Sequence, residues 1–510
     1  MHIKNSQEPN ILLLYSPQRF DKRFGAVKPE GSLGLIYLAG ALRDNGYNVK
    51  VLDCSVGNDD HQLEETFFRQ TPLENGMTRV GLPIEEIVRQ SRDFDIIGIS
   101  SIFTAQTSMV KEVISSIRQA YPEKLILVGG VNARAQKELF LRIGADIVFL
   151  GEAERTILEV CNLLRQGNRD FRSVSGIAFL QDSQIKTNPT IFVETNLDNL
   201  PFPAWDLLPL NKYWKIARPH GGGFSAEHPV KYAAGMSSRG CRYKCEFCHI
   251  GLEEQGSDSG YLRQLRLKSL ERVIEEIQRL IDLQVEHIFL EDDSLLGKKQ
   301  RALSIFREII KFKIKLSGVN GINVAHLCTS KDGRQGAVDD ETMEVMAQAG
   351  FQKFMLPVES GSQRIIDKYA TGKVNLSVHD ITGLIRKAKA LGMSIGGNYT
   401  FGYPDETEQE MMETFELAKR HMGEGLDNAN FMLITPFPGT AFYEQSVKEG
   451  LLLPNIELED YDWMRLVIKT IIPGEKLMDM MIRGWEEINR PERIQRIRSL
   501  TPDSMVPAIT

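Results

Sequence analysis

Three of the six cysteines lie within eight consecutive residues. Cys241, Cys245 and Cys248 are separated by three and then by two residues. Six cysteines placed at random would produce this spacing with a probability of roughly one in a thousand, so the cluster needs a chemical reason. Thiolates this close together indicate a metal site. Zinc requires a fourth ligand, for which His249 is the nearby candidate, whereas three thiolates suit an iron–sulfur cluster with one iron left open.

The segment also resembles the signature of the radical S-adenosylmethionine (SAM) superfamily, because the aromatic residue Phe247 directly precedes the last cysteine. The resemblance implies that the three cysteines hold a [4Fe–4S] cluster whose fourth iron chelates SAM. In that family, reduction cleaves SAM to a 5′-deoxyadenosyl radical, so the cofactors supply the difficult chemistry. A structural zinc knuckle and a chance cluster of thiols remain the alternatives.

Composition and charge limit the classes of partner. The 510 residues suffice for two or three domains. The net charge is −7, and the sequence contains no long block of charges of one sign. Both features argue against nucleic acid as a partner. No apolar run reaches the ~18 residues of a membrane span, and the N-terminus lacks the apolar core of a signal peptide. Together with the clustered thiols, this pattern predicts a cytoplasmic protein without an integral membrane segment.

The N-terminal third alternates short apolar runs with amphipathic segments. This alternation predicts an α/β fold with a doubly wound, Rossmann-like parallel sheet over residues 1–170, including a helix from Leu33 to Asn45. Ligands bind such sheets beyond the carboxyl ends of the strands, so the loops after the strands are the candidate site. The predicted strands are Ile11 to Ser16, Val49 to Asp53, Ile96 to Ser101, Leu125 to Val128 and Ile147 to Leu150.

The remaining chain divides into three regions. A linker is predicted over residues 171–225, with a small hairpin formed by Gly176 to Leu180 and Ile191 to Glu194. Residues 226–445 again alternate strands and helices, which predicts a partial (β/α)6 barrel with its chemistry at the carboxyl ends of the strands. A small helical C-terminal region is predicted over residues 446–510. The predicted barrel strands are 231–236, 286–290, 322–327, 353–358, 395–401 and 429–434.

Three barrel segments resemble the SAM-binding segments of the radical SAM family. An acidic run after the strand at 286–290 resembles the segment that binds the amino group of SAM. Residues 357–362 resemble the family's G-x-E-S-G-S, with proline in place of the first glycine, which implies contacts with ribose or with the methionine part. Residues 396–407 resemble the segment that lies against adenine. The predicted SAM-binding residues are Glu291, Asp292, Asp293, Glu359, Ser360 and Asn398.

Segments of the N-terminal region resemble the cobalamin-binding domain that is fused to many radical SAM enzymes. These segments are Pro29 to Ala39, Ser100-Ser101, Val128 to Asn132 and Gly151 to Glu154. Small and hydroxyl side chains at strand ends would let a flat macrocycle and its nucleotide tail approach the backbone. The residues predicted to bind cobalamin are Ser100, Ser101, Thr104, Gly129, Gly130, Gly151 and Glu152.

A histidine ligand to cobalt is not predicted. The D-x-H-x-x-G motif of many cobalamin proteins is missing after the first strand. Residues 59–64 contain D-x-H but follow the second strand and end in Glu64, so His61 is not assigned as a ligand. Members of the fused class often hold cobalamin with its lower face free or weakly ligated, so the resemblance still implies this cofactor.

The resemblance implies a cobalamin-dependent radical SAM methyltransferase that methylates an unactivated carbon of a small metabolite. The implied partners are a small-molecule substrate and a reductase, flavodoxin or ferredoxin that supplies electrons; no further catalytic residue is assigned. A methylthiotransferase is disfavoured because only Cys54 and Cys161 precede the cluster, too few for a second one. Two alternatives stay open: a cobalamin-dependent radical SAM oxidoreductase or tetrapyrrole cyclase that moves no methyl group, and a sensor without turnover.

Overall fold

The computed structural model describes residues 9–20, 32–73, 76–220, 229–329 and 336–489. The chain divides into two units. Residues 1–231 and 252–262 form the first unit, and residues 232–251 and 263–510 form the second. The domain boundaries predicted from the sequence stay predictions. Residues 29–31 of one cobalamin-type segment and residues 490–510 of the predicted C-terminal region lie outside the described residues.

The described part of the first unit contains the following strands and helices. The strands are β1 (Ile11–Tyr15), β2 (Gln18–Phe20), β3 (Val49–Asp53), β4 (Gln70–Pro72), β5 (Thr78–Val80), β6 (Ile96–Ser100), β7 (Leu125–Gly129), β8 (Ile147–Phe149), β9 (Ile177–Gln181) and β10 (Gln184–Asn188). The helices are α1 (Leu33–Asp44), α2 (Ile84–Gln90), α3 (Thr107–Ala120), α4 (Val131–Ala135), α5 (Lys137–Arg142), α6 (Glu154–Arg165) and α7 (Leu210–Ile216).

The main sheet of the first unit has the order β10-β9-β8-β7-β6-β1-β3. Its parallel part, from β8 to β3, has the order 2-1-3-4-5 when these five strands are numbered along the chain, which is the flavodoxin-like doubly wound arrangement. β1 and β6 are almost wholly apolar because helices cover both faces of such a sheet. The predicted doubly wound fold is therefore confirmed.

The antiparallel hairpin at the sheet edge differs from the prediction in its second strand. The return strand is β10, not Ile191 to Glu194. Asp182 and Ser183 both have positive φ, which is the backbone of a tight two-residue hairpin turn. The polar sequence of β10 concealed it, because an edge strand of this kind needs no apolar face. Both strands lie in the predicted linker and extend the sheet.

The described part of the second unit contains the remaining elements. The strands are β11 (Tyr232–Gly235), β12 (Ser238–Arg239), β13 (Arg266–Leu267), β14 (His287–Leu290), β15 (Lys315–Gly318), β16 (Cys328–Thr329), β17 (Ala337–Val338), β18 (Phe351–Glu359), β19 (Ser394–Phe401) and β20 (Asn428–Leu433). The helices are α8 (Leu270–Asp282), α9 (Lys299–Ile309), α10 (Val324–Leu327), α11 (Asp340–Gln348), α12 (Gln363–Tyr369), α13 (Ile381–Ala390), α14 (Glu408–Gly423), α15 (Ala441–Lys448) and α16 (Gly474–Arg483).

The main sheet of the second unit is parallel throughout and has the order β11-β14-β15-β18-β19-β20. This sequential order confirms the predicted partial (β/α)6 barrel. The predicted strand at 322–327 is wrong, because the third barrel strand is β15. The side chain of Asn323 accepts a hydrogen bond from the amide of Ala325 and thereby caps the short helix α10 instead.

The open edge of the barrel sheet is covered by the chain that follows α16. The side chain of Asn489 donates to and accepts from the backbone of Ala429 in β20, at 2.9 and 3.0 Å. Trp485 donates its indole N–H to the carbonyl of Phe431 on the same strand, at 3.3 Å. These contacts satisfy backbone groups that an edge strand would otherwise leave unpaired.

No helix in the described ranges is long and apolar enough to cross a bilayer.

Candidate cofactor sites

The three clustered cysteines lie on the loop that follows β11. Cys245 is buried, whereas Cys241 and Cys248 are partly exposed. The short antiparallel pair of β12 and β13 brackets residues 240–265. The loop therefore presents its thiols beyond the carboxyl end of a barrel strand, where enzymes of this architecture carry out their chemistry.

Hydrogen bonds hold the cysteine loop against the barrel elements of its unit. The amide of Glu246 donates to the carbonyl of Tyr369, and the carbonyl of Glu246 accepts from the amide of Phe442, both at 2.9 Å. The hydroxyl of Tyr243 lies 3.3 Å from Nε2 of His326. The shape of the loop is thus fixed by α12, α15 and α10, which lie far from it in sequence.

The acidic run after β14 anchors the same loop. The buried carboxylate of Asp292 accepts hydrogen bonds from the amide and hydroxyl of Ser237, at 2.7 to 3.1 Å. The exposed Asp293 accepts the amide of Gly240 at 3.1 Å. Glu291 is partly exposed at the end of the strand. Asp292 and Asp293 therefore have a structural role beside the predicted role in binding SAM.

A largely buried charge pair lies at the end of β18. Glu359 and Lys373 form an ion pair at 2.5 Å, with side chains that are 7% and 16% exposed. The hydroxyl of Thr400 donates to the other carboxylate oxygen at 3.3 Å. Glu359 has φ of +70° after a register shift in the strand, a strained backbone of the kind found at functional sites. The ammonium of Lys373 also lies 6.0 Å from the ring of Phe247 in the cysteine loop.

Ser360 and Asn398, which were predicted to bind SAM, make contacts within the fold. The buried hydroxyl of Ser360 lies 3.2 Å from that of Thr414 on α14. The amide oxygen of Asn398 accepts from Asn430 at 2.9 Å, and Asn430 in turn accepts from Asn428 at 3.1 Å. This chain of amides fixes the amide oxygen of Asn398 as an acceptor from its neighbouring strand.

Two buried polar groups near the end of β19 have no hydrogen-bond partner. These groups are the hydroxyl of Tyr403 and one carboxylate oxygen of Glu406. The other oxygen of Glu406 accepts the amides of Gly402 and Tyr403, at 2.5 and 3.2 Å. Burial raises the pKa of Glu406 to about 8. Orphaned polar groups of this kind are rare in folded proteins and mark strain or a missing partner.

In the first unit, the predicted small residues meet at the carboxyl ends of β6 and β7. Ser100 pairs with Gly129 in the register of the two strands, and the amide of Ser101 donates to the carbonyl of Gly129 at 2.8 Å. Gly130 has φ of +112°, and a Cβ atom there would lie 2.4 Å from the carbonyl oxygen of Ser101. The turn therefore requires glycine. The edge lies beside β1, where the strand order reverses, which is the usual ligand site of such sheets.

Polar side chains surround this turn. Asn132 donates to the hydroxyls of Ser101 and Thr107, at 2.8 and 3.0 Å, while its own buried oxygen has no partner. Thr104 is buried at the start of the same segment, and its carbonyl accepts from the hydroxyl of Thr107. His61 lies 2.7 Å from the amide oxygen of Asn58 through Nδ1 and 3.0 Å from a Glu86 oxygen through Nε2, so both ring nitrogens are occupied.

Two family models match these two regions. The model described as B12 binding domain matches residues 28–161, and the model described as Radical SAM superfamily matches residues 236–418. The chain is a radical SAM enzyme with an N-terminal B12-binding domain. The predicted cofactor set of a [4Fe–4S] cluster, SAM and cobalamin agrees with these domains.

Relatives of this radical SAM enzyme extend over most of its length. The cytidylyl-2-hydroxyethylphosphonate methyltransferase of Streptomyces wedmorensis is 26% identical over 92% of this chain and 87% of its own. The radical SAM methyltransferase TsrM from Kitasatospora setae, solved with tryptophan and a SAM analogue, gives a TM-score of 0.67 at 15% identity over 95% of this chain and 89% of its own. The cobalamin-dependent SAM radical enzyme OxsB with aqua-cobalamin bound gives 0.68 at 18% identity, over 98% and 71%. The structural likeness establishes the shared fold.

The residues of the radical SAM domain fit a [4Fe–4S] cluster. Burial raises the pKa of Cys245 to about 11 and of Cys248 to about 12, so these thiols stay protonated at neutral pH until a metal displaces the protons. No group of three His, Cys, Asp or Glu side chains in the described part of the chain converges on a single ion. A [4Fe–4S] cluster makes no such demand, because each thiolate binds a different iron.

The other two cofactors also have suitable residues. The orphaned oxygen of Asn132 and the glycine turn beside it leave a hydrogen-bonding, side-chain-free edge for cobalamin in the B12-binding domain. The charged pair of Glu359 and Lys373 beside the cysteine loop offers both signs of charge for the zwitterionic methionine part of SAM. Lys373 comes from the turn after α12 and carries no motif of its own, so it was not predicted from the sequence.

Proposed function

We propose that this radical SAM enzyme is a cobalamin-dependent methyltransferase that acts on a carbon of a small molecule. The observation that carries the proposal is the B12-binding and radical SAM domain pair in one chain, aligned over 92% of its length with a methyltransferase. A relative that acts on a nucleotide-linked phosphonate, together with TsrM bound to tryptophan, supports a small-molecule substrate.

The residues have separate roles in this proposal. Cys241, Cys245 and Cys248 hold the cluster, and Lys373 and Glu359 orient SAM beside it. When bound, the cluster with SAM supplies a radical and cobalamin supplies a methyl carrier. Asp292 keeps the loop in place through Ser237, so its contribution is to position the ligands.

The electron donor and the compartment follow from the same chemistry. A cluster that must be reduced requires a low-potential donor of the flavodoxin or ferredoxin type, or its reductase. All six cysteines of the chain are free thiols. Free thiols and an iron–sulfur cluster both favour a reducing compartment, which supports a cytoplasmic protein.

The test compares two products of SAM in one reaction. Anaerobic, dithionite-reduced protein reconstituted with iron, sulfide and hydroxocobalamin is given SAM with a deuterated methyl group, and S-adenosylhomocysteine and 5′-deoxyadenosine are measured by mass spectrometry. Cytidylyl-2-hydroxyethylphosphonate and tryptophan are the first substrate probes. We expect S-adenosylhomocysteine that requires cobalamin, and none of either product from Cys245→Ala.

The two alternatives give different results in the same assay. 5′-Deoxyadenosine without cobalamin-dependent S-adenosylhomocysteine contradicts methyl transfer and favours an oxidoreductase or cyclase. Fully loaded protein that cleaves no SAM favours the sensor.

A further inference from the structure

Residues 252–262, here called the strap, belong to a different unit from the chain on either side of them. They follow the cysteine loop directly in the chain, yet they belong to the unit of the B12-binding domain. The chain on both sides of the strap, up to Gly251 and from Arg263 onward, belongs to the radical SAM unit. The last cluster cysteine, Cys248, stands five residues before Glu253 in the sequence.

Ion pairs fasten the strap to α4 and α5. The guanidinium of Arg134 donates to Glu253 at 2.6 Å, with side chains 18% and 8% exposed. Lys137 pairs with Asp258 at 2.9 Å in a more exposed position. The amide of Thr190 donates to the carbonyl of Asp258, also at 2.9 Å. The pair of Arg134 and Glu253 is the shorter and the more buried of the two ion pairs.

The strap also lies close to the turn after β8. A Cβ atom on Gly151 would lie 2.8 Å from the carbonyl oxygen of Ser259 and 3.0 Å from the hydroxyl of Thr190. Gly151 is one of the residues predicted to bind cobalamin, and this approach gives it a second reason to be glycine. The neighbouring Glu152 is partly exposed at the same turn.

Arg134 joins the strap to two strand ends of the B12-binding domain. Its amide donates to the carbonyl of Gly130, the glycine of the predicted cobalamin turn, at 3.1 Å. Its guanidinium donates to the carbonyl of Leu150, the residue directly after β8, at 3.2 Å. Arg134 thus contacts the Gly130 turn after β7 through its backbone, and the end of β8 and Glu253 through its side chain.

We propose that Arg134 and Glu253 are positioning residues that couple occupancy of the cobalamin site to the order of the strap and of the cysteine loop before it. A ligand at the Gly130 turn orders the start of α4, and the largely buried ion pair passes that order to the strap. Coupling of this kind needs an ordering cost that the first ligand has already met. The inference goes beyond methyl transfer and does not depend on it.

The test is hydrogen exchange followed by mass spectrometry. Full-length protein with its cluster reconstituted is measured with and without hydroxocobalamin, and peptides that cover the strap and the cysteine loop are compared. We expect exchange in both peptides to slow about tenfold on addition of cobalamin, the scale of one charge-assisted hydrogen bond. Arg134→Gln and Glu253→Gln lose this slowing, and the double variant is no worse than either single variant, as coupled residues require.

Two further variants keep the result unambiguous. Arg43→Gln removes an exposed ion pair with Asp206 elsewhere in the same unit and retains the slowing. Asp258→Asn reduces it only in part, and serves if an Arg134 variant does not fold. Equal exchange with and without bound cobalamin, or additive effects of Arg134→Gln and Glu253→Gln, would overturn the inference. Coupling without cobalamin-dependent S-adenosylhomocysteine would refute methyl transfer alone.

Discussion

The two units build their sites in opposite ways. At the ends of β6 and β7, the candidate cobalamin site of the B12-binding domain consists of glycine and small hydroxyl residues that leave the backbone open. At the ends of β18 and β19, the radical SAM domain gathers charged and polar side chains around Glu359. A large, flat cofactor needs space, whereas a cluster and a zwitterion need ligands and counter-charges. The changes that disable each site should therefore differ in kind.

Removal of a cysteine that holds the cluster should have the largest effect on cofactor content, and this effect should be confined to the radical SAM domain. Cys245→Ala is expected to abolish iron binding and SAM cleavage while leaving cobalamin retention intact, because a cluster cannot be held by two thiolates alone. Iron content and extracted cobalamin are the measurements. Cys328→Ala, a buried cysteine outside the loop, is the control and retains its iron. Full SAM cleavage by Cys245→Ala would remove the cluster assignment.

Addition of a methyl group should disable the other site. Gly130→Ala forces a Cβ atom against the carbonyl of Ser101 at a φ of +112°. We expect cobalamin retention to fall at least tenfold with iron content unchanged, since the strain of about 1 to 3 kcal/mol displaces the turn. Gly46→Ala is the matched control, because its φ is also positive but the space around it is open. Normal cobalamin retention by Gly130→Ala would mean that the turn does not face the cofactor.

Breaking the charge pair should destabilise the radical SAM domain itself. Lys373→Met leaves the carboxylate of Glu359 buried without its cation, at a cost of about 3 to 5 kcal/mol. The double variant Lys373→Met with Glu359→Gln should recover most of that loss. Calorimetry of the metal-free protein measures both. An unfolding temperature of Lys373→Met equal to the wild type would show that the pair is solvated.

The smallest effect is a pH dependence from Glu406. Burial raises its pKa to about 8 from a usual 4.5, so the folded protein keeps a proton that the unfolded chain releases. The resulting stability is fully present below pH 4.5 and is lost as the pH rises through about 8. Glu406→Gln should unfold at a temperature that changes less between pH 6 and pH 9, relative to the exposed control Glu408→Gln. Identical slopes would mean that Glu406 is ionised in the fold.

The strand-end glycines and serines were easier to locate from the sequence than the side chains that surround Glu359. Glycines and serines at strand ends can be found from the sequence, because the alternation of apolar runs and amphipathic segments shows where each strand ends. Lys373 and Thr400 contact Glu359 only through tertiary packing. No local sequence pattern therefore predicts these contacts. The position of Asp292 after a barrel strand was predicted from the sequence, but its hydrogen bonds to Ser237 were not.

The strands of the barrel were also predicted only in part from the sequence. Five of the six predicted barrel strands match β11, β14, β18, β19 and β20. The third failed because the apolar run at 322–327 suits a strand and a helix equally, and the cap at Asn323 decides for the helix. The central strand β15 has the sequence Lys-Leu-Ser-Gly, whose single large apolar residue a search for apolar runs overlooks.

The most direct test is the cofactor content of anaerobically purified protein, measured by iron and sulfide assay and by cobalamin extraction with its visible spectrum. Two sites of opposite construction in one chain predict about four irons and about one cobalamin per chain. A cluster without cobalamin, even after reconstitution, would contradict the account: the B12-binding domain would then be only a fold.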